Sequence, residues 1–247
     1  INMKHLLAQS WIRLIHLIQK NPSHSLLYGF MITLSSMLVF VTGNILQLTG
    51  VAQKNPNFAL IFQIIVLCIS TALTLLFGIA MVRFLTRLYK KNSVQTVRQE
   101  LSSATPLMIP AFLIIIIYNI IVFGGFLLLF IPGCVFALWY FFSFFGVALE
   151  HKGMRESLSY SKTLVQGRGW LLFATLTLVS ILLALGGTIL TNLLNMLVSV
   201  ILPATMPPLG IFILTLLEIS FIGTILTILH VGFVTSLYTV FKEKITQ

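Results

Sequence analysis

Long apolar stretches, separated by short polar and basic segments, make up most of this chain. A helix needs about 20 mainly apolar residues to cross a hydrocarbon core of about 30 Å, and six stretches approach or exceed that length. The pattern therefore predicts six transmembrane helices, at about 26–48, 58–82, 107–130, 133–149, 171–192 and 209–235. Because these spans and their short connections leave no room for a soluble domain, we expect an all-α polytopic membrane protein with a single integral membrane domain over 1–247.

The connection between the third and fourth predicted spans is apolar throughout. Ile131-Pro132-Gly133 is a signal for a tight turn, and no polar residue lies near it. Non-helical backbone at membrane depth has to be buried in protein, because lipid offers it no hydrogen bonds. We therefore expect a hairpin that turns at 131–133, either at the outer surface or below it against neighbouring helices.

Amphipathic segments precede three of the predicted spans. Residues 4–20 carry polar side chains at helical spacing on one face and apolar side chains on the other. Residues 154–166 repeat this pattern, and residues 93–104 show a weaker version in which Ser93 is the expected N-cap. The sequence thus predicts three helical hairpins, each preceded by an interfacial amphipathic helix.

The basic residues of these segments have two interpretations. An interfacial helix turns its Lys and Arg side chains toward anionic headgroups, which makes it a surface for lipid or for a protein partner. The same helices also arise from topology alone, as elbows that only orient the spans. The sequence leaves both interpretations open. The candidates for contact with anionic lipid are Arg13, Lys20, Arg155, Lys162 and Arg168.

The distribution of charge along the chain predicts its orientation. Of 15 Lys and Arg residues, 14 fall in segments that the spans place on one side, and only Lys54 falls on the other. The positive-inside rule then places both termini in the cytoplasm and makes the protein a multi-pass component of a cell inner membrane. The net charge of +10 follows from this topology, so we do not expect a nucleic-acid partner. The first 25 residues lack a compact apolar core, and we expect no cleavable signal peptide there.

Composition agrees with this class of protein and excludes most catalytic chemistry. The chain is 58% hydrophobic and 8% charged, whereas soluble domains contain about 25% charged residues. It has no Asp, which excludes aspartic dyads and Asp-based triads, and it lacks phosphate-loop and His-Glu-x-x-His motifs. Cys68 and Cys134 lie in apolar stretches without metal-binding spacing. The sequence therefore favours a protein that is not an enzyme and that uses no metal or cofactor.

Glu218 is the only acidic residue within the predicted spans. A charged group at the bilayer centre costs about 2.5–3.5 kcal/mol on insertion scales, so such a residue is a candidate functional site. Asn119 and Tyr140 occur at comparable depths in the third and fourth spans, and Thr215 shares the helix face of Glu218. The carboxyl group is either neutral and hydrogen-bonded between helices, or a protonatable or cation-binding group that lines a cavity.

Residues 131–170 carry a resemblance to a known family. The features are Ile131-Pro132-Gly133 before an aromatic-rich span, Glu150-x-x-Gly153, Glu156-Ser157-Leu158 with Ser161, and Gly167-x-Gly169-Trp170, together with Trp11 and Asn21-Pro22 near the start. In these the chain resembles the membrane domain found beside some bacterial glycerophosphoryl diester phosphodiesterases, and the related YciC-like membrane proteins. Ser157 stands where that family usually has Ala. The resemblance implies a six-span helical membrane protein, and it supplies no catalytic residue.

Two functions are compatible with these patterns. The first is a lipid-associated membrane component or partner-binding subunit that contacts anionic headgroups on the cytosolic side, with a protein partner or a second copy of the chain. The second is a small transporter or channel with a protonatable site at Glu218. Transporters build midplane sites from broken helices and several polar groups. The spans contain one acidic residue and no second buried ion, which favours the first function.

Overall fold

The computed structural model of the chain describes residues 3–90, 95–201 and 208–243, which are helical except for short connections. The all-α fold class expected from the sequence is confirmed. The helices are α1 (Met3–Lys20), α2 (Pro22–Leu48), α3 (Val51–Lys54), α4 (Pro56–Tyr89), α5 (Val97–Ala104), α6 (Met108–Leu128), α7 (Phe130–Trp139), α8 (Ser143–Glu150), α9 (Met154–Val165), α10 (Gly169–Ile201) and α11 (Pro208–Glu243). A 3₁₀ turn, Thr105–Leu107, joins α5 to α6.

Among the described residues, six helical segments are long and apolar enough to cross a membrane. They are Pro22–Leu48, Pro56–Tyr89, Val97–Leu128, Phe130–Glu150, Gly169–Val198 and Gly210–Glu243. Helices α4, α10 and α11 have 34, 33 and 36 residues, which corresponds to about 50 Å at 1.5 Å per residue. Because a hydrocarbon core is only about 30 Å thick, each of these three helices extends beyond it or tilts strongly.

Buried side chains concentrate at one end of the bundle. This end, which we call the basic end, is formed by α1, residues 79–89 of α4, α8, α9 and residues 231–243 of α11. Away from it the long helices expose large apolar side chains, as in residues 58–69 of α4 and 211–221 of α11. Such surfaces suit contact with lipid, so the protein core and the lipid-facing surface lie at different heights of the bundle.

Helix α1 packs into the core of the basic end. Leu6, Ser10 and Leu14 on one face are fully buried. The Ser236 hydroxyl of α11 donates to the Ser10 carbonyl oxygen at 3.0 Å. Gly232 of α11 lies against the Leu14 side chain, so the two helices approach closely there. One face of α1 is therefore committed to the protein, and only the opposite face is free for another contact.

Helix α2 packs antiparallel to both α4 and α11 through small and hydroxyl-bearing residues. A Cβ atom on Gly29 would lie 2.4 Å from the Ile228 side chain, so the α2–α11 contact requires glycine there. Between the same helices the hydroxyls of Thr33 and Thr227 are 3.3 Å apart. On the other side of α2, the Ser70 hydroxyl of α4 donates to the Ser35 carbonyl oxygen at 2.6 Å. Small residues and interhelical hydrogen bonds are the usual means of helix association in membranes.

The hairpin between α6 and α7 turns earlier than the sequence indicates. The turn lies at Leu129, whose backbone is extended, and Ile131-Pro132-Gly133 forms the first turn of α7. The expectation of a turn at 131–133 is therefore wrong. Pro132 fits the first turn of a helix, because the N–H that proline lacks would have no intrahelical partner there. The helix is interrupted instead at Tyr140–Phe142, between α7 and α8.

The predicted N-cap of the segment before the third span, Ser93, lies outside the described residues. Within them, α5 begins after Thr96, whose backbone N–H donates to the Gln99 side chain at 3.1 Å. This contact satisfies one of the backbone donors that a helix start leaves unpaired.

Candidate functional site

An ion pair joins the first and last helices at the basic end. Arg13 of α1 donates to the Glu243 carboxylate of α11 at 2.9 Å. The Tyr89 hydroxyl at the end of α4 donates to the same carboxylate. The Arg13 guanidinium also lies 5.1 Å from the centroid of the Tyr89 ring. One carboxylate therefore holds α1, α4 and α11 together.

A second carboxylate, Glu150, ends α8 and binds α11. It accepts hydrogen bonds from the Tyr238 hydroxyl at 2.8 Å and from the Lys242 ammonium. The Tyr160 hydroxyl of α9 lies 2.9 Å from that of Tyr238 and extends the network to a third helix. Burial raises the pKa of the Tyr160 phenol, so the phenol stays protonated at neutral pH. The network then keeps its donors across the physiological range.

A third carboxylate, Glu100, lies on α5 and is 1% exposed. It accepts a hydrogen bond from Arg87 of α4 at 2.8 Å. One turn away, Arg83 donates to the Ala148 carbonyl oxygen of α8 at 3.2 Å. Arg83, Arg87 and Glu150 line one small cavity of about 180 Å³. These contacts fix α5 and α8 against α4.

The residues expected to contact anionic lipid are divided by the structure into two groups. Arg13 is engaged by Glu243, and the Lys162 ammonium lies 4.4 Å from the centroid of the Trp139 ring. Lys20 and Arg155 are exposed at the surface. Arg168 is half-buried between α9 and α10, and its Nη1 atom is buried with no hydrogen-bond partner among the described residues. The three that remain available for a ligand are thus Lys20, Arg155 and Arg168.

The four residues predicted to form an intramembrane polar site are not joined to one another by hydrogen bonds in the described part of the chain. Asn119 is exposed, and its amide donates to the Ile115 carbonyl oxygen of its own helix at 2.8 Å. Thr215 similarly donates to Ile211 at 3.0 Å. Tyr140 lies half-buried at the interruption between α7 and α8. Glu218 is half-buried, and its Oε1 atom is buried without a partner among the described residues.

A large cavity lies between α7 and the junction of α9 with α10. Its volume is about 770 Å³, and mainly apolar residues from 130–139 and 165–173 line it, with Arg168 as the one charged side chain among the described lining residues. We call it the α7–α10 cavity. Its size lies within the range of about 300–1,000 Å³ that is typical of small-molecule sites.

The described residues contain no group of three or more His, Cys, Asp or Glu side chains that could hold a metal ion. Instead, the basic end has paired carboxylates, exposed cations and an apolar cavity whose Arg168 Nη1 atom has no partner among the described residues. The sequence pattern did not find the ion pairs, because Arg13 and Glu243 are separated by 230 positions. A comparison of the chain with family models, curated proteins and solved structures finds no match.

Proposed function

We propose that this multi-pass protein is a lipid-associated component of a cell inner membrane, with both termini in the cytoplasm and the basic end at the anionic headgroups. The observation that carries the proposal is the exposed face of α1. Ile12 and Ile15 there are 67% and 51% exposed, and Lys20 at the end of the same helix is also exposed. Because the opposite face is buried in protein, the apolar and basic side chains of this face are free to meet the interface between lipid and water.

Helix α9 supports the proposal in the same way. Ser157, Ser161 and Leu164 are buried against the rest of the basic end, whereas Met154 is 41% exposed and Arg155 is exposed. Two helices, far apart in sequence, thus each carry exposed apolar side chains and an exposed cation at one end of the bundle. A juxtamembrane Lys or Arg contributes about 1 kcal/mol of attraction to an anionic leaflet.

We also propose, from the residues of 131–170, membership of the glycerophosphoryl diester phosphodiesterase membrane-domain family and its YciC-like relatives. The resemblance is compatible with a role without catalysis, because it carries no catalytic residue to this chain. The same exposed faces of α1 and α9 would also suit a protein partner or a second copy of the chain. In that case the protein would act as a partner-binding subunit.

The lipid role is tested by removing the exposed cations Lys20 and Arg155. We expect Lys20→Gln with Arg155→Gln to lower the share of phosphatidylglycerol among co-purifying lipids, since the pair contributes about 2 kcal/mol. Lys54→Gln is the matched control, because it removes an exposed cation from α3, on the predicted side of the membrane opposite the basic end. This variant should leave the share of phosphatidylglycerol unchanged. An equal lipid composition in all three proteins would contradict the proposal.

The orientation is tested by thiol labelling of intact cells in a background with Cys68 and Cys134 replaced by Ser. A cysteine at Gln53, exposed in α3, should react with an impermeant maleimide, and a cysteine at Gln19, exposed in α1, should react only after permeabilisation. The reverse pattern would place both termini outside and remove the basic end from the cytoplasmic leaflet.

One observation favours a second function. The buried Oε1 atom of Glu218 has no hydrogen-bond partner among the described residues, and an unpaired polar atom in an apolar span is costly. A proton or cation carried past this helix would supply the missing partner. A small transporter or channel centred on Glu218 is therefore the alternative proposal, and the Glu218 variants described in the Discussion separate it from the lipid role.

A further inference from the structure

The apolar wall of the α7–α10 cavity is nearly as long as the hydrocarbon depth of one leaflet. Phe130, Cys134 and Leu138 recur every four residues along one face of α7 and line the cavity. Phe130 and Leu138 are eight residues apart, which corresponds to about 12 Å of rise. One leaflet of a hydrocarbon core is about 15 Å deep. The wall could therefore hold most of an acyl chain laid parallel to α7.

The rim of the cavity carries a positive charge that lacks a partner in the described part of the chain. Arg168 lines the cavity, and its buried Nη1 atom makes no hydrogen bond there. A guanidinium cannot lose its proton in a protein, so it has to find an acceptor or bear the cost of desolvation. A ligand that satisfies this guanidinium must therefore carry an oxyanion as well as an apolar chain.

The backbone around Arg168 holds it at this position. Gly167, which also lines the cavity, has a φ of 77°, a conformation that side-chain-bearing residues rarely adopt. The next backbone N–H, that of Arg168, donates to the Val165 carbonyl oxygen at 2.8 Å. The tight turn between α9 and α10 thus places the guanidinium beside the α7 wall.

Two tryptophans flank the same rim. Trp139 lines the cavity, and the Lys162 ammonium lies 4.4 Å from its ring centroid, which places a second cation beside this lining residue. Trp170, also on the lining, is 80% exposed. Tryptophan and basic side chains are enriched at the level of lipid headgroups. The rim therefore has the chemistry of a headgroup site, and the α7 wall has the chemistry of a chain site.

We infer that the α7–α10 cavity binds one membrane lipid with an anionic phosphodiester headgroup, the phosphate at Arg168 and an acyl chain along α7. This inference rests on the proposed lipid role and narrows it from a general attraction at the basic end to a site with a defined stoichiometry. Arginine suits the ligand because its planar donors can hold two phosphate oxygens at once.

The first test counts retained lipid by native mass spectrometry of protein titrated with dioleoylphosphatidylglycerol in detergent. We expect the wild type to retain one molecule at concentrations about tenfold lower than Arg168→Gln does, as the loss of a charge-assisted contact predicts. Arg98→Gln removes the same charge from the exposed surface of α5 and does not line the cavity, so this variant should retain lipid as the wild type does. Equally weakened lipid retention in both variants would contradict a specific site at Arg168 and would fit only a general attraction between the basic end and anionic lipid.

The second test needs no change at Arg168, so a folding defect cannot obscure it. Cys134 lines the cavity, and in a Cys68→Ser background it is the only thiol of the chain. Dioleoylphosphatidylglycerol should slow its reaction with N-ethylmaleimide several-fold, and dioleoylphosphatidylcholine should not. Equal protection by phosphatidylcholine, or protection by inorganic phosphate alone, would overturn the inference. The lipid composition of the Lys20 and Arg155 double variant is measured separately, so failure of the general role is distinguishable from failure of this site.

Discussion

Replacing Arg87 with Leu removes the hydrogen-bonded cation from a carboxylate that is almost completely buried. Glu100 is 1% exposed, and its Oε1 atom lies 2.8 Å from the Arg87 guanidinium. Its Oε2 atom is already without a hydrogen-bond partner in the described part of the chain. The variant would therefore leave a carboxyl group that has to stay desolvated without its partner or take up a proton.

The expected cost follows from this burial. Removing one member of a buried ion pair costs about 3–5 kcal/mol, because the charge that is left has no compensation. For proteins of this size, 1 kcal/mol corresponds to about 2–4 °C in melting temperature. The expected drop for Arg87→Leu is therefore about 6–20 °C. Because the side chain of Arg87 is 24% exposed, water screens the pair in part, and we expect the lower half of that range.

A double-mutant cycle separates this mechanism from a general loss of packing. Thermal unfolding in one detergent is compared for Arg87→Leu, Glu100→Leu and the double variant, and Arg98→Leu on the exposed face of α5 is the control. We expect the double variant to lose less stability than Arg87→Leu alone, because no charge is then left in the core. A shift for Arg87→Leu no larger than that for Arg98→Leu, or strictly additive shifts, would refute the reasoning.

Three further predictions concern the spans and the helix contacts. If Glu218 only packs between helices, Glu218→Gln should keep the thermal stability and leave proton flux into proteoliposomes unchanged. Glu218→Leu should then lower the free energy of unfolding by about 1–2 kcal/mol. A proton flux that Glu218→Gln abolishes would instead favour the transporter. Gly125→Leu should destabilise the protein by at least about 1–3 kcal/mol in thermal unfolding, because a Cβ atom at this position would lie 2.9 Å from the α7 backbone. Gly124→Leu is the control and should have little effect, since no atom lies within 4 Å of a Cβ there. Ser161→Ala should lower the free energy of unfolding by about 1–3 kcal/mol, because the buried Ser161 hydroxyl accepts from the Phe142 N–H at 2.9 Å and donates to the Trp139 carbonyl oxygen at 2.8 Å. Ser159→Ala, at an exposed position of the same helix, is the control, and equal melting temperatures of the two variants would contradict this prediction.

The sequence by itself determined the class of protein and its helical character. Apolar length is a local property, so hydropathy alone was enough to predict the all-α fold with its long apolar helices. Some helix starts are local too: Pro22 and Pro56 each begin a helix, where a missing N–H costs nothing. Proline at 132 follows the same rule, and taking it as a turn signal is what misplaced the hairpin.

Only the tertiary structure decided which faces of the helices meet. In a membrane an apolar face can bind lipid or another helix with nearly the same gain, so hydropathy does not show which side chains are buried in protein. The partner of Arg13 is Glu243, 230 positions away, and no spacing rule connects them. Arg168 looked like any other basic residue beside a span. Its guanidinium, whose Nη1 atom has no partner in the described part of the chain, lines an apolar cavity because α7 packs against the turn between α9 and α10, and that contact depends on the whole bundle.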